Sequence, residues 1–91
     1  MENLIQHYYT YILKAINNDK IYIGQTKDLD DRINRHNNGY ERYTKKYRPW
    51  KILFFQQFPD RSSAIRLERK LKRMKNKDYI LQWANDNMEQ Y

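Results

Sequence analysis

The 91-residue sequence has no cysteine, two glycines, two prolines and only eleven acids against eighteen lysines and arginines. Each shortage narrows what the chain can be. Without thiols, disulfides and thiolate chemistry are excluded. No stretch approaches the ~20 apolar residues that a membrane-spanning helix requires. The opening "MENLIQHYYT" lacks the basic leader, apolar segment and small-residue cleavage site of a secretion signal, so a cytoplasmic location is expected. With so little glycine and proline there is no low-complexity linker, and no internal repeat is visible. A chain this short buries one modest core, so residues 1–91 are expected to form a single domain, with no room for a separate substrate-recognition domain.

What is present is positive charge and aromatic surface. The net charge of +7 creates a field that concentrates polyanions, which makes nucleic acid the first partner to consider. A membrane surface would instead need a helix with a large apolar face opposite its basic one, and the basic segments do not show that pattern. Nine Tyr, three Phe and two Trp within a 40% hydrophobic composition suffice for a small aromatic core, so a wholly disordered chain is not expected.

"YYTYILKAI" and "KIYIG" are β-branched and aromatic runs separated by "NND", which predicts a hairpin with strands near Tyr8 to Ile16 and Lys20 to Gly24. In "KDLDDRINRHNNG", Asp28 suits a helix N-cap, Asp30 and Asp31 suit the positive end of the dipole, and Gly39 suits the stop. Leu29 and Ile33 face inward, with Arg32 and His36 beside them on the wheel. A basic, tyrosine-rich loop follows, "NNGYERYTKKYRP". The apolar run in "WKILFFQQF" predicts a third strand buried on both faces. Asp60 can cap a helix over "RSSAIRLERKLKRMK", and "KDYILQWANDNM" predicts a last amphipathic helix with Ile80, Trp83, Ala84 and Met88 on one side. The order is β-β-α-β-α-α.

Glu68 is out of place in this pattern. Ala64, Ile65, Leu67, Leu71 and Met74 mark the inward arc of its helix, and Glu68 falls between Ala64 and Ile65 on the wheel. A salt bridge to Lys72 one turn on would account for it, at about 0.3–0.5 kcal/mol if exposed. Yet from Arg61 to Lys77 there are eight cations and Glu68 is the one acid, so the sharper reading is a ligand for a divalent cation. Tyr11 and Tyr22 share a sheet face if the hairpin turns on Asn18 and Asp19. That register pairs Tyr11 with Thr26 and Tyr22 with Ala15, leaving the phenols offset along the strands. Tyr is a common strand residue, Arg32 alone reads as solvated, and His36 alone reads as packing or capping near Gly39.

Jointly, Tyr11, the triplet Tyr22-Ile23-Gly24, Arg32, His36 and the later helical Glu68 resemble the GIY-YIG nuclease family, especially small stand-alone members similar to the nuclease domain of the bacterial excinuclease UvrC. The resemblance runs from about Tyr8 to Lys77. "YTYIL" stands where the family has its Gly-Ile-Tyr element, with Tyr9 and Thr10 in place of Gly and Ile. Tyr22-Ile23-Gly24 is intact, and Gln25 follows where some relatives carry Lys. Arg32 lies eight residues after that Gly, and "RINRHNNG" resembles the family's Arg-x-x-x-His-Asn-x-Gly stretch. "RYTKKYRPWKILFF" resembles the segment before the third strand, and "SSAIRLERKLK" the helix bearing the metal-binding Glu.

The resemblance implies an α+β fold with a small three-stranded, mostly antiparallel sheet flanked by about three helices. It implies an endonuclease that hydrolyses DNA phosphodiester bonds, leaving 5′-phosphate and 3′-hydroxyl ends, in DNA repair or recombination. Glu68 would hold one Mg2+ or Mn2+, and Arg32 would stabilise charge on the phosphate. Tyr11 and Tyr22 would position and deprotonate the attacking water, and His36 would orient that water or touch the phosphate. An unperturbed phenol, with a pKa near ~10, is only about 0.1% ionised at pH 7, so such a base needs a nearby cation. Arg42, Tyr43, Thr44, Lys45, Lys46, Tyr47 and Arg48 of the loop, with Lys72 in the cationic helix from Arg66 to Lys77, would contact nucleic acid, Tyr43 and Tyr47 by stacking. Roughly half of these cations are expected to be merely solvated. Two readings compete: a noncatalytic nucleic-acid-binding module, with salt-sensitive binding and no strand breaks, and a nuclease subunit active only within a larger complex, where a separate protein supplies substrate specificity. The complete polar constellation favours the nuclease. Duplex, flap, branched or damaged DNA and RNA all stay open as substrates, as does the oligomeric state.

Overall fold

The computed structural model describes residues 7–88. Its elements run β1 (Tyr8–Ala15), β2 (Ile21–Thr26), α1 (Leu29–Asn37), α2 (Arg42–Lys45), β3 (Trp50–Phe58), α3 (Arg61–Met74) and α4 (Lys77–Asn87). This is the expected α+β order, with one short extra helix, α2, inside the segment that reads as a loop. β1 is central and pairs antiparallel with both β2 and β3.

The hairpin turn is longer than the sequence predicts. Ala15 N donates to Lys20 O at 3.0 Å, so the loop comprises residues 16–19. Asn18 closes it by accepting from Lys20 N at 2.9 Å, and the Lys14 ammonium donates to Asn18 O at 2.7 Å. Tyr11 consequently pairs with Gly24, and Tyr22 with Leu13. A slip of two positions preserves the alternation of side chains, so both tyrosines still share a face. They are now diagonal neighbours rather than offset.

The third strand also departs from expectation. β3 lies at the sheet edge, and Lys51, Ile52, Gln56 and Gln57 are exposed, so it is not buried on both faces. Its apolar run has another cause. Ile12 faces Phe54 while Leu13 faces Ile52, which leaves Leu53 as the extra residue of a bulge. Leu53 and Phe54 therefore both join the cluster of Ile12, Ile23, Leu71, Ile80 and Ala84 beneath α3 and α4.

On the opposite face, Tyr11, Leu13, Ala15 and Trp50 pack with Leu29 and Ile33 of α1. Helices thus cover both sides of a thin sheet. Asp28 caps α1 by accepting from Asp31 N at 3.0 Å, and Asp60 caps α3 by accepting from Ser63 N at 2.7 Å. Asn76 does the same for α4 through Tyr79 N at 3.0 Å. Thr10 Oγ1 donates to Ala64 O at 2.7 Å, tying the central strand to α3. Among the described residues no helix is long and apolar enough to cross a membrane.

Candidate active site

Tyr11 is 1% exposed, and its ring lies across Gly24 of the edge strand β2. A Cβ at position 24 would sit 2.5 Å from Tyr11 Oη and 2.7 Å from Cζ. Only a residue without a side chain lets the phenol reach across β2, which is the local reason for glycine in the Tyr22-Ile23-Gly24 triplet. Ile23 points the other way, into the core beneath α3 and α4. Tyr22 is half-buried, with its ring centroid 6.3 Å from that of Tyr11.

α1 delivers His36 to the same spot, fully buried and 4.8 Å from the Tyr22 ring, centroid to centroid. Its Nε2 lies 3.0 Å from Tyr11 Oη, and its Nδ1 lies 2.7 Å from Thr44 Oγ1 of α2. Both ring nitrogens are engaged inside the protein. His36 was expected to orient the attacking water or touch the phosphate; its two nitrogens face Tyr11 and Thr44. Thr44, expected on the nucleic-acid surface, is itself fully buried. Its carbonyl accepts from Trp50 Nε1 at 2.8 Å. Asn37 then clamps the Trp50 backbone, accepting from Trp50 N at 2.6 Å and donating to Trp50 O at 3.1 Å. Asn37 and the true place of Thr44 were not read from the sequence. The one available signal was that Asn37 directly follows His36 in "RHNNG".

Burial pushes the Tyr11 phenol far above the ordinary tyrosine range; Tyr22 adds to the rise, Arg32 opposes it, and Glu68 and Glu41 add further. Burial also lowers the His36 imidazole below its usual value; Glu41 opposes this, while Arg32 and Arg35 reinforce it. His36 is thus neutral at pH 7, donating from one nitrogen and accepting at the other. Tyr22 on β2, Arg32 on α1 and Glu68 on α3 all act on one phenol although they are far apart in sequence. Glu68 arrives from the opposite layer because α3 packs across β1 and β2. It lies on the helix face of Ala64 and Leu71, both fully buried. Arg32 Nε is buried and has no hydrogen-bond partner among the described residues.

The family profile of the GIY-YIG catalytic domain matches residues 7–82. The chain belongs to the GIY-YIG family. A UPF0213 protein of Listeria welshimeri is 37% identical over 86 residues, covering 90% of this chain and 93% of the relative. A UPF0213 protein of Listeria monocytogenes serotype 4b is 38% identical over 86 residues, covering 90% and 94%. The solution NMR structure of a UPF0213 protein from Bacillus halodurans is 30% identical, covers 80% of this chain and 78% of its own, and aligns with a TM-score of 0.50. The GIY-YIG domain is of the nuclease type.

Nucleases of this domain family work with metal ions, and the donor set here can be tested against one. Among the described residues no three His, Asp or Glu side chains cluster as a closed cage would require. Glu68, whose charge reaches Tyr11 as that of Glu41 does, is 19% exposed, with Lys72 Nζ 3.1 Å from its Oε2. A hard cation of the Mg2+ type keeps several waters and takes one or two carboxylates plus substrate phosphates. A single glutamate whose charge reaches the Tyr11 phenol fits that requirement. Lys72 is 55% exposed, and an exposed i,i+4 pair of about 0.3–0.5 kcal/mol is easily displaced.

The cationic loop of the GIY-YIG domain divides in two. Tyr43 is 47% exposed, its ring 6.3 Å from Tyr22 and 5.4 Å from Tyr47. Tyr47 is partly buried against the core, with Lys20 Nζ 5.3 Å over its ring. Arg42, Lys45, Lys46 and Arg48 are exposed, as is Lys72 on α3.

Proposed function

We propose that this GIY-YIG protein is a metal-dependent endonuclease that hydrolyses DNA phosphodiester bonds to 5′-phosphate and 3′-hydroxyl ends. The observation that carries the reading is Arg32 Nε, buried without a partner among the described residues while its charge acts on Tyr11. An unpaired buried donor costs about 1–3 kcal/mol, and a phosphate oxygen is the acceptor that best suits a planar, permanently charged guanidinium.

In this reading Arg32 binds the scissile phosphate and stabilises the charge that builds on its nonbridging oxygens. Water attacks phosphorus, the new P–O bond forms, and the bond to O3′ breaks. Mg2+ or Mn2+ held by Glu68 would supply the charge that polarises the phosphate and stabilises the departing O3′. Tyr22 and Tyr11 orient the water, and its proton passes to a tyrosine oxygen. For Tyr11 a route onward exists. With the imidazole proton on Nδ1 and donated to Thr44 Oγ1, Nε2 can accept the phenol proton across 3.0 Å. Between an ordinary phenol and imidazole that transfer costs about 4.8 kcal/mol, from ~3.5 pK units, and burial raises the cost at both ends. Arg32 is the protein cation that opposes the rise. His36 therefore positions Tyr11 and holds its proton, and touches no substrate. DNA repair or recombination is the setting this reading assigns, on the likeness of its motifs to the excinuclease UvrC.

The test is to incubate purified protein with labelled linear and branched DNAs in Mg2+, Mn2+ or EDTA, beside Glu68→Ala. Cutting that needs metal and disappears in the variant is expected. Equal cutting by the variant, or salt-sensitive binding with no strand breaks under any condition, refutes the reading.

A further inference from the structure

We propose that the hollow between Gly39, Tyr40 and α2 is a subsite for an unpaired nucleotide of the substrate strand, so that DNA with a single-stranded stretch beside the cut is favoured over continuous duplex. The inference rests on the nuclease reading above. The hollow has a volume of about 340 Å3 and is lined by Gly39, Tyr40, Arg42, Lys45 and Lys46. That is within the range of small-ligand sites, roughly 300–1,000 Å3. Its lining contains three cations and no acid.

Tyr40 is 68% exposed, yet it is held in place. The Arg35 guanidinium lies 5.4 Å from the ring centroid, and Glu41 Oε2 holds Arg35 Nη2 at 3.5 Å. The Tyr40 backbone N–H donates to Arg35 O at 3.0 Å. Arg35 does not line the hollow, so it backs the ring from outside and leaves the other face open. Gly39, at φ +82°, makes the sharp turn that presents the ring, and a Cβ there would collide with the Arg48 guanidinium. Arg42, Lys45 and Lys46 make no ion pair among the described residues. A backed aromatic face beside unpaired cations is the combination that binds single strands, by stacking on a base and contact with its phosphates. In continuous duplex the base faces are already covered by neighbouring bases.

The hollow also adjoins the active site through α2. On α2, Tyr43 faces Tyr22 and Thr44 bonds His36, whereas Arg42 and Lys45 line the hollow. The helix α2 therefore stands between the two places.

Binding is measured by fluorescence anisotropy with a short labelled oligo(dT) and a duplex of equal length, using Glu68→Gln protein in EDTA so that nothing is cut. In that background Tyr40→Ala should weaken oligo(dT) binding about 5- to 140-fold, one base-aromatic stack of 1–3 kcal/mol converted at 1.4 kcal/mol per tenfold. Duplex binding should be unchanged, and Tyr40→Phe should keep single-strand affinity because it keeps the ring. Replacing Arg42, Lys45 and Lys46 together by Gln should lower the slope of log affinity against log salt by about 2, at ~0.7 per phosphate contact. Unaltered oligo(dT) binding by Tyr40→Ala, equal losses on single and double strands, or a Tyr40→Phe variant as weak as Tyr40→Ala would overturn the subsite. If wild type cuts no DNA but these binding differences hold, the subsite stands and the nuclease reading falls. If it cuts and Tyr40→Ala changes nothing, the reverse is true.

Discussion

Gly24→Ala tests the geometry on which the whole site depends. Gly24 pairs with Tyr11 within the antiparallel ladder, and its backbone is not among the positive-φ glycines. Alanine is therefore conformationally admissible there, and should gain about 0.4–1 kcal/mol through the unfolded chain. All of the expected loss is steric. The new Cβ would stand 2.5 Å from Tyr11 Oη, 2.7 Å from Cζ and 3.1 Å from Cε2. Ordinary contacts fall at ~3.5–4.0 Å, so the ring must retreat by about 1 Å. It is 1% exposed, with Leu13 and Phe55 packed around it, and has nowhere empty to go. Retreat would also stretch the 3.0 Å bond to His36 Nε2 beyond useful length. Overpacking costs about 1–3 kcal/mol, and leaving the buried imidazole nitrogen unpaired costs about 1–3 kcal/mol more. Net of the backbone gain, the loss is roughly 1–5.5 kcal/mol.

For a domain of this size each kcal/mol moves the melting temperature by about 4–8 °C, so a fall of at least ~4 °C is expected in thermal melts followed by circular dichroism. The decisive comparison is Gly24→Ala in a Tyr11→Phe background. Phenylalanine lacks the atom at 2.5 Å but keeps the ring carbon at 2.7 Å, and it has no bond to His36 to lose. The cost of the alanine should shrink there by roughly 1–3 kcal/mol. A Gly24→Ala protein within about 0.5 kcal/mol of the parent, or an equal penalty in both backgrounds, would mean that the phenol does not occupy the space above residue 24.

Stability should depend on pH through two limbs. Folding lowers the pKa of His36, so below about pH 6.5 the unfolded chain takes the proton first and stability falls as the pH drops toward the folded value. Folding raises the pKa of Tyr11, so its contribution is whole below about pH 10 and is lost as the pH rises past it. Urea midpoints across pH should show a shallower acid limb in His36→Gln and a shallower alkaline limb in Tyr11→Phe; unchanged slopes contradict the buried pair. Lys72→Met frees Glu68 Oε2 from its 3.1 Å partner and should lower the Mg2+ needed for half-maximal cutting by about twofold, measured by titrating cleavage with metal; a higher requirement would assign Lys72 a helping role. Asn37→Ala removes both hydrogen bonds to the Trp50 backbone and should cost about 2 kcal/mol, read from the thermal melt; a neutral result would show the clamp to be replaceable by water.

Local pattern sufficed where local chemistry decides. The caps at Asp28 and Asp60 and the inward place of Glu68, on the face of Ala64 and Leu71, follow from spacing alone. The hairpin register did not, because the turn depends on Asn18 accepting from Lys20 N and on the Lys14 ammonium reaching back to Asn18 O. Neither contact has a propensity signature, and a two-residue error kept the face while losing the distance. The apolar run of β3 misled because it reflects a bulge at Leu53 rather than burial on two sides. His36 was hardest to place, since its neighbours Arg35 and Asn37 are polar and its partners lie 25 residues before it and 8 after. This last case bears on chemistry. The segment that reads as a nucleic-acid-binding loop supplies, in Thr44, the buried hydroxyl that fixes the imidazole holding Tyr11. α2 thus has two faces: its Thr44 holds the imidazole that bonds Tyr11, while its Arg42 and Lys45 line the hollow beside Tyr40.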